Sequence, residues 1–194
     1  MNVEILDGTG KGNRARVDDN KRLETFSITE SRIADVSNRI GESFIITSDF
    51  ISLTTTGAFN GMLYIKNDNP DKLLFIDKVR ICGTGTMMNS MQTKLYKQPT
   101  TGTLISDANT GIVVASNLGS NVDFDGTVYT ASGDGKTITD GVQFSQFTIH
   151  LPGHSIQDYQ GSLIIPGGFA MAIACKPSVA TEACIEIQCW FENK

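Results

Sequence analysis

The sequence predicts an all-β, antiparallel β-sandwich preceded by an extended N-terminal arm. Three observations carry this. From Gly41 onward, short apolar runs are broken again and again by Gly, Asn, Asp and Ser. The two clearest runs alternate at period two, as strands with one buried face do. No stretch after Ile40 sustains a helical period.

The strand-like runs are residues 43–47, 50–55, 61–66, 73–82, 91–97, 111–116, 127–131, 142–150, 161–166, 168–175 and 183–191. In the last, Ile185, Ile187, Cys189 and Phe191 alternate with Glu186, Gln188 and Trp190. In the run before it, Phe169, Met171, Ile173 and Cys175 alternate with Ala170, Ala172 and Ala174. A face made only of alanine is neither charged nor bulky, so something is expected to lie close against it. KNDNPDK (66–72) reads as a turn, because Pro70 bars a continuous ladder. Strands at this spacing indicate a sandwich or barrel. Residues 117–141, rich in Gly, Ser, Thr and Asp, read as a long loop or a flexible hairpin.

The first 40 residues differ. They carry seven basic residues (Lys11, Arg14, Arg16, Lys21, Arg22, Arg32, Arg39) of the chain's 16, and seven acidic ones (Glu4, Asp7, Asp18, Asp19, Glu24, Glu30, Asp35) of its 21. DGTGKGNRARVDDNKR is too polar to offset the entropy of ordering on its own. The later part holds Phe26, Ile28, Ile33, Val36 and Ile40, five apolar residues in need of cover. The expectation is a two-part chain, an arm over 1–40 and a sandwich over 41–194. Arg14, Arg16, Phe26, Ile28, Arg32 and Ile33 are the arm's candidate partner-binding residues.

Charge limits the function. A net charge of −5 and a pI near 5.0 argue against direct nucleic-acid binding, which needs a basic face. They argue equally against an anionic membrane, and no apolar run approaches the ~20 residues of a membrane helix. MNVEILDGTGKG lacks a basic start followed by an apolar stretch, so synthesis and assembly in a host cytoplasm are expected.

The motifs that promise chemistry fail on their own physics. His150 and His154 have the spacing of a zinc pair, but HLPGH contains Pro152-Gly153, which forbids the helix that would bring the rings together. GTGKG (8–12) lacks the full phosphate-loop spacing, and nothing helix-forming follows CGTGT (82–86). DFDG (123–126) is a fragment of a calcium loop, so Asp123 and Asp125 are the residues to watch for a cation. Cys82, Cys175, Cys184 and Cys189 have neither CxxC nor metal-ligand spacing and are read as small buried hydrophobes. No catalytic constellation stands out, and no cofactor or metal is expected.

Three stretches carry a resemblance. They are RVDDNKRLETFSIT (16–29), MLYIKNDNPDKLLFIDKVRIC (62–82), and the ending SLIIPGGFAMAIACKP (162–177) with CIEIQCWFENK (184–194). Together they resemble tailed-phage virion structural proteins of jelly-roll type, including capsid decoration (cement) proteins and related head or tail accessory proteins. The resemblance covers most of residues 16–194. It implies a non-enzymatic bacteriophage structural protein located in the virion. It further implies a homotrimer whose partners are its own copies and the major capsid protein or another virion protein. The alternative is a receptor- or carbohydrate-binding jelly-roll module of a tail or fibre. The charged arm and the paucity of aromatics in the longest loop (Phe124 and Tyr129) favour decoration.

Overall fold

A computed structural model describes residues 41–54, 58–85, 88–99, 113–131, 138 and 140–194 in full, and the backbone alone of 16–17, 23–24, 109–110 and 112. The chain falls into two units, 1–31 and 32–194. In the first, β1 (Arg16–Val17) pairs antiparallel with β2 (Leu23–Glu24). The remainder of the arm lies outside the described residues, including Arg14, Phe26, Ile28, Arg32, Ile33, Val36 and Ile40.

The second unit is an antiparallel sandwich of two sheets. Its strands are β3 (Ser43–Thr47), β4 (Ile51–Leu53), β5 (Asn60–Asn67), β6 (Lys72–Gly83), β7 (Asn89–Lys97), β8 (Asn109–Thr110), β9 (Ile112–Ala115), β10 (Gly126–Thr130), β11 (Val142–Leu151), β12 (Gly153–Pro166), β13 (Ala170–Pro177) and β14 (Thr181–Asn193). One sheet runs β12-β6-β14-β3-β9, with β4 also paired to β14; the other runs β11-β7-β13-β5-β10-β8. The pairing is nested. β3, β5, β6 and β7 meet β14, β13, β12 and β11 respectively, so the chain runs out and returns along itself in reverse order. Consecutive strands of this ribbon alternate between the sheets, which is jelly-roll topology.

Period-two alternation supplies the core. Phe44, Ile46, Leu63, Ile65, Met171, Ile173, Ile185 and Ile187 are all buried between the sheets. In β6 the buried set changes parity, from Leu74 and Ile76 to Val79 and Ile81. The pairing of β6 with β14 steps from Gln188↔Lys78 to Cys189↔Ile76, which leaves Asp77 as an extra residue. This bulge lets both halves of LLFIDKVRIC point inward.

The structure corrects several sequence expectations. Cys82 and Cys184 are not buried hydrophobes. They are direct partners across β6 and β14, half-buried on the outer face, with Cα atoms 5.4 Å apart and sulfurs bonded at 2.08 Å. Cys175 and Cys189 are free and buried, as expected. Burial holds the Cys175 thiol protonated, its pKa pushed up to about 12, and pushes the Cys189 thiol up as well. The run at 161–166 is only the end of a longer strand, β12, which begins at Gly153. On β12, residues 159–162 stand opposite a single residue of β6. Gly161, at φ 74°, lies so close to Trp190 that a Cβ would come within 2.5 Å of the indole. The protrusion therefore covers Trp190, which stacks on Phe75 at 5.4 Å and 5°.

Candidate functional site

The alanine face of β13 is the starting point. Met171 and Ile173 point into the core, so Ala170, Ala172 and Ala174 face outward, yet all three are buried. Larger neighbours on the adjoining strands account for this. Ala172 is the partner of Tyr64 on one side and Tyr96 on the other. Tyr129 of β10 stands opposite Tyr64, with ring centroids 6.3 Å apart at a 33° tilt. One row across the sheet thus reads Tyr96, Ala172, Tyr64, Tyr129. Farther along, Lys94 flanks Ala174, and its ammonium lies 4.2 Å from the centre of the Phe59 ring.

Where the row meets the end of β13, the surface opens into a trough of about 420 Å³. Tyr64, Tyr129, Lys66, Thr127, Gln98 and Ala170 line it. Its polar groups are held in place. Gln98 Oε1 accepts the Ala170 N–H at 2.9 Å, which fixes the side-chain amide. Lys66 donates to Asp68, and the Thr127 hydroxyl donates to the other oxygen of the same carboxylate. Desolvation works to raise the Asp68 pKa, but the bonds from Lys66 and Thr127 outweigh it and hold the carboxyl below its usual range. The Lys66 ammonium is held above its usual range by its bond to Asp68. Burial raises the Tyr64 phenol.

Gln98 and Ala170 also border a second, apolar cleft of about 250 Å³. Phe144, Leu163, Ile164, Ile165, Phe169 and Met171 line it. Three of the large apolar side chains that line it face water: Phe169 at 47 % exposure, Ile164 at 42 % and Phe144 at 39 %. They belong to β11 and β12, the edge strands of the two sheets, and to the turn before β13.

The calcium fragment has another role. Asp125 accepts from Lys72 Nζ at 2.8 Å and from Asn69 Nδ2 at 3.1 Å, and Lys72 also reaches Glu42 Oε1 at 2.7 Å. The hydrogen bond from Lys72 is the main cause that holds Asp125 below the usual carboxylate range. An ammonium thus stands between Glu42 and Asp125. Asp123 takes no part in this cluster. His150 and His154 are both exposed and lie on strands of different sheets. Among the described residues there is no group of three or more His, Cys, Asp or Glu placed to hold a metal.

Sequence reasoning found the alanine face but not the trough. Tyr64, Gln98 and Tyr129 are far apart in the chain, and only strand order brings them together. Compared with known protein families and with curated proteins, the chain matches none.

Proposed function

We propose that the chain is a non-enzymatic virion structural protein, a capsid decoration protein that binds and stabilises a phage head shell as a symmetric homotrimer. The supporting observation is the apolar rim. Phe144, Ile164 and Phe169 stand exposed around one cleft, lined by residues of the strands that end the two sheets. Contiguous apolar surface of this kind marks a place where protein meets protein. Among the described residues β11 and β12 end their sheets, and an edge strand presents backbone groups that a neighbouring copy can cover. A rigid jelly roll gives flat, repeatable faces for symmetric packing. The arm adds a second contact. Each of its five apolar residues contributes up to ~1.5–3 kcal/mol if fully buried, against roughly 1–2 kcal/mol of backbone entropy per residue ordered. Such an arm gains most from a surface that covers these residues. On a shell, many copies make weak single contacts sufficient.

The test measures mass in solution and binding to shells assembled from the major capsid protein of the same phage. The full chain is expected to be trimeric and to co-sediment with shells, raising their resistance to heat. Phe169→Asp is expected to break the trimer, and removal of residues 1–40 to weaken shell binding. A monomeric full chain that ignores shells would end this reading.

A further inference from the structure

We propose that the trough on the outer face of the second sheet is a binding site for a neutral saccharide. The proposal stands apart from shell decoration, since the rim and the trough present different chemistry. Four observations carry it.

The first is shape. A concavity of about 420 Å³ is within the range of small-ligand sites, roughly 300–1,000 Å³. It exists because β13 contributes alanine where a strand on a solvated face would normally present bulk. At Gly168, which has φ 81° and lines the same trough, an added Cβ would meet nothing within 4 Å.

The second is the aromatic platform. Tyr129 is partly exposed and is braced by the buried Tyr64 beside it. The electron-rich face of such a ring attracts the weakly positive C–H groups on one side of a pyranose. Each phenol can also donate and accept one hydrogen bond.

The third is the polar lining. Gln98, Thr127 and Lys66, an amide, a hydroxyl and an ammonium residue, line the trough. Sugar hydroxyls both donate and accept, and a mixed lining of this kind matches them.

The fourth observation selects against charge. The ammonium at the trough, Lys66, is already engaged by Asp68, and Asp68 is engaged again by Thr127. The charge of Lys66 is therefore already balanced by Asp68, and the trough offers a phosphate or carboxylate no net positive charge. A neutral sugar needs none.

The experiment titrates the isotope-labelled full chain with cellotetraose, maltotetraose and mannotetraose, each to about 10 mM, and follows backbone amide shifts. At least one sugar is expected to move amides clustered at 64–66, 98, 127–129 and 168–170. Tyr129→Ala is expected to weaken that binding at least ~10-fold. Ala170→Leu, which fills the trough without removing any packing, is expected to do the same, and it decides the matter if Tyr129→Ala fails to fold. Arg80→Ala, on the other sheet, is expected to leave binding unchanged. Tetragalacturonate, an anionic saccharide, is expected to cause no shift. The proposal is overturned by the absence of shifts with all three neutral sugars, by shifts elsewhere, by an equal response to the anionic sugar, or by unchanged binding in Ala170→Leu.

Discussion

On the outer face of the first sheet, β14 meets β6 in matched pairs. Cys184 faces Cys82, Glu186 faces Arg80, Gln188 faces Lys78 and Trp190 faces Phe75. Each pair joins a covalent, charged, polar or stacked partner to its like. On the outer face of the second sheet, β13 supplies alanine between tyrosines, and the row falls away into a trough. The two sheets share one topology and one core. They differ in what stands on the solvent side of a strand: matched partners on the first sheet, alanine flanked by the tyrosines of the adjoining strands on the second. A face whose rows fill themselves adds stability and leaves no room for a ligand. A face with small residues between aromatic ones buries the small ones and, where the row ends, leaves a cavity.

This contrast can be broken most forcefully at Trp190. Its indole is buried, stacked on Phe75 and covered by the protrusion at Gly161. Trp190→Ala is expected to cost about 3–5 kcal/mol in urea unfolding; a loss under about 1 kcal/mol would mean the paired face carries little stability. The Cys82–Cys184 bridge comes next, spanning 102 residues. Reduction, or Cys82→Ser, is expected to lower stability by about 2–4 kcal/mol, and mobility on a non-reducing gel reports the bond directly. Lys72→Met then strips the shared ammonium from Glu42 and Asp125. Roughly 1–3 kcal/mol is expected to go, and a neutral result would show the two carboxylates resolvate freely.

The smallest effect concerns acid. Asp68 and Asp125 both have folded pKa values below the usual carboxylate range. Their contribution is therefore complete above about pH 4 and is lost as pH falls through the lower folded values. Both are partly exposed, so each is worth under about 1 kcal/mol. Asp125→Asn is expected to lower stability at pH 7 by that amount and to leave it nearly unchanged at the acid end, which flattens the acid limb of the stability curve. An acid limb identical to that of the unmodified protein would remove Asp125 from the account.

How far the sequence reveals this structure depends on which face a strand shows to water. β13 and β14 were readable because one side of each is apolar without a break. The first half of β12, HSIQDYQ, was not, since an edge strand with partly exposed residues on both sides has no hydrophobic period to find. The bulge at Asp77 hid inside a continuous apolar run. The Cys82–Cys184 pair was missed because spacing along the chain says nothing about register between strands 102 residues apart. The trough follows the same rule, with one trace left in the sequence: a strand whose solvent side is all alanine.

The nested pairing also bears on synthesis. β14 lies between β6 and β3, strands translated more than a hundred residues earlier. A nascent chain that stops short of Thr181 has two strands with no third to join them, and much of the inner apolar surface stays open to water. Contacts of such long sequence separation form late and slowly. A copy interrupted before Thr181 is therefore expected to lack the strand that joins β6 to β3, and limited proteolysis of such a truncated chain checks this.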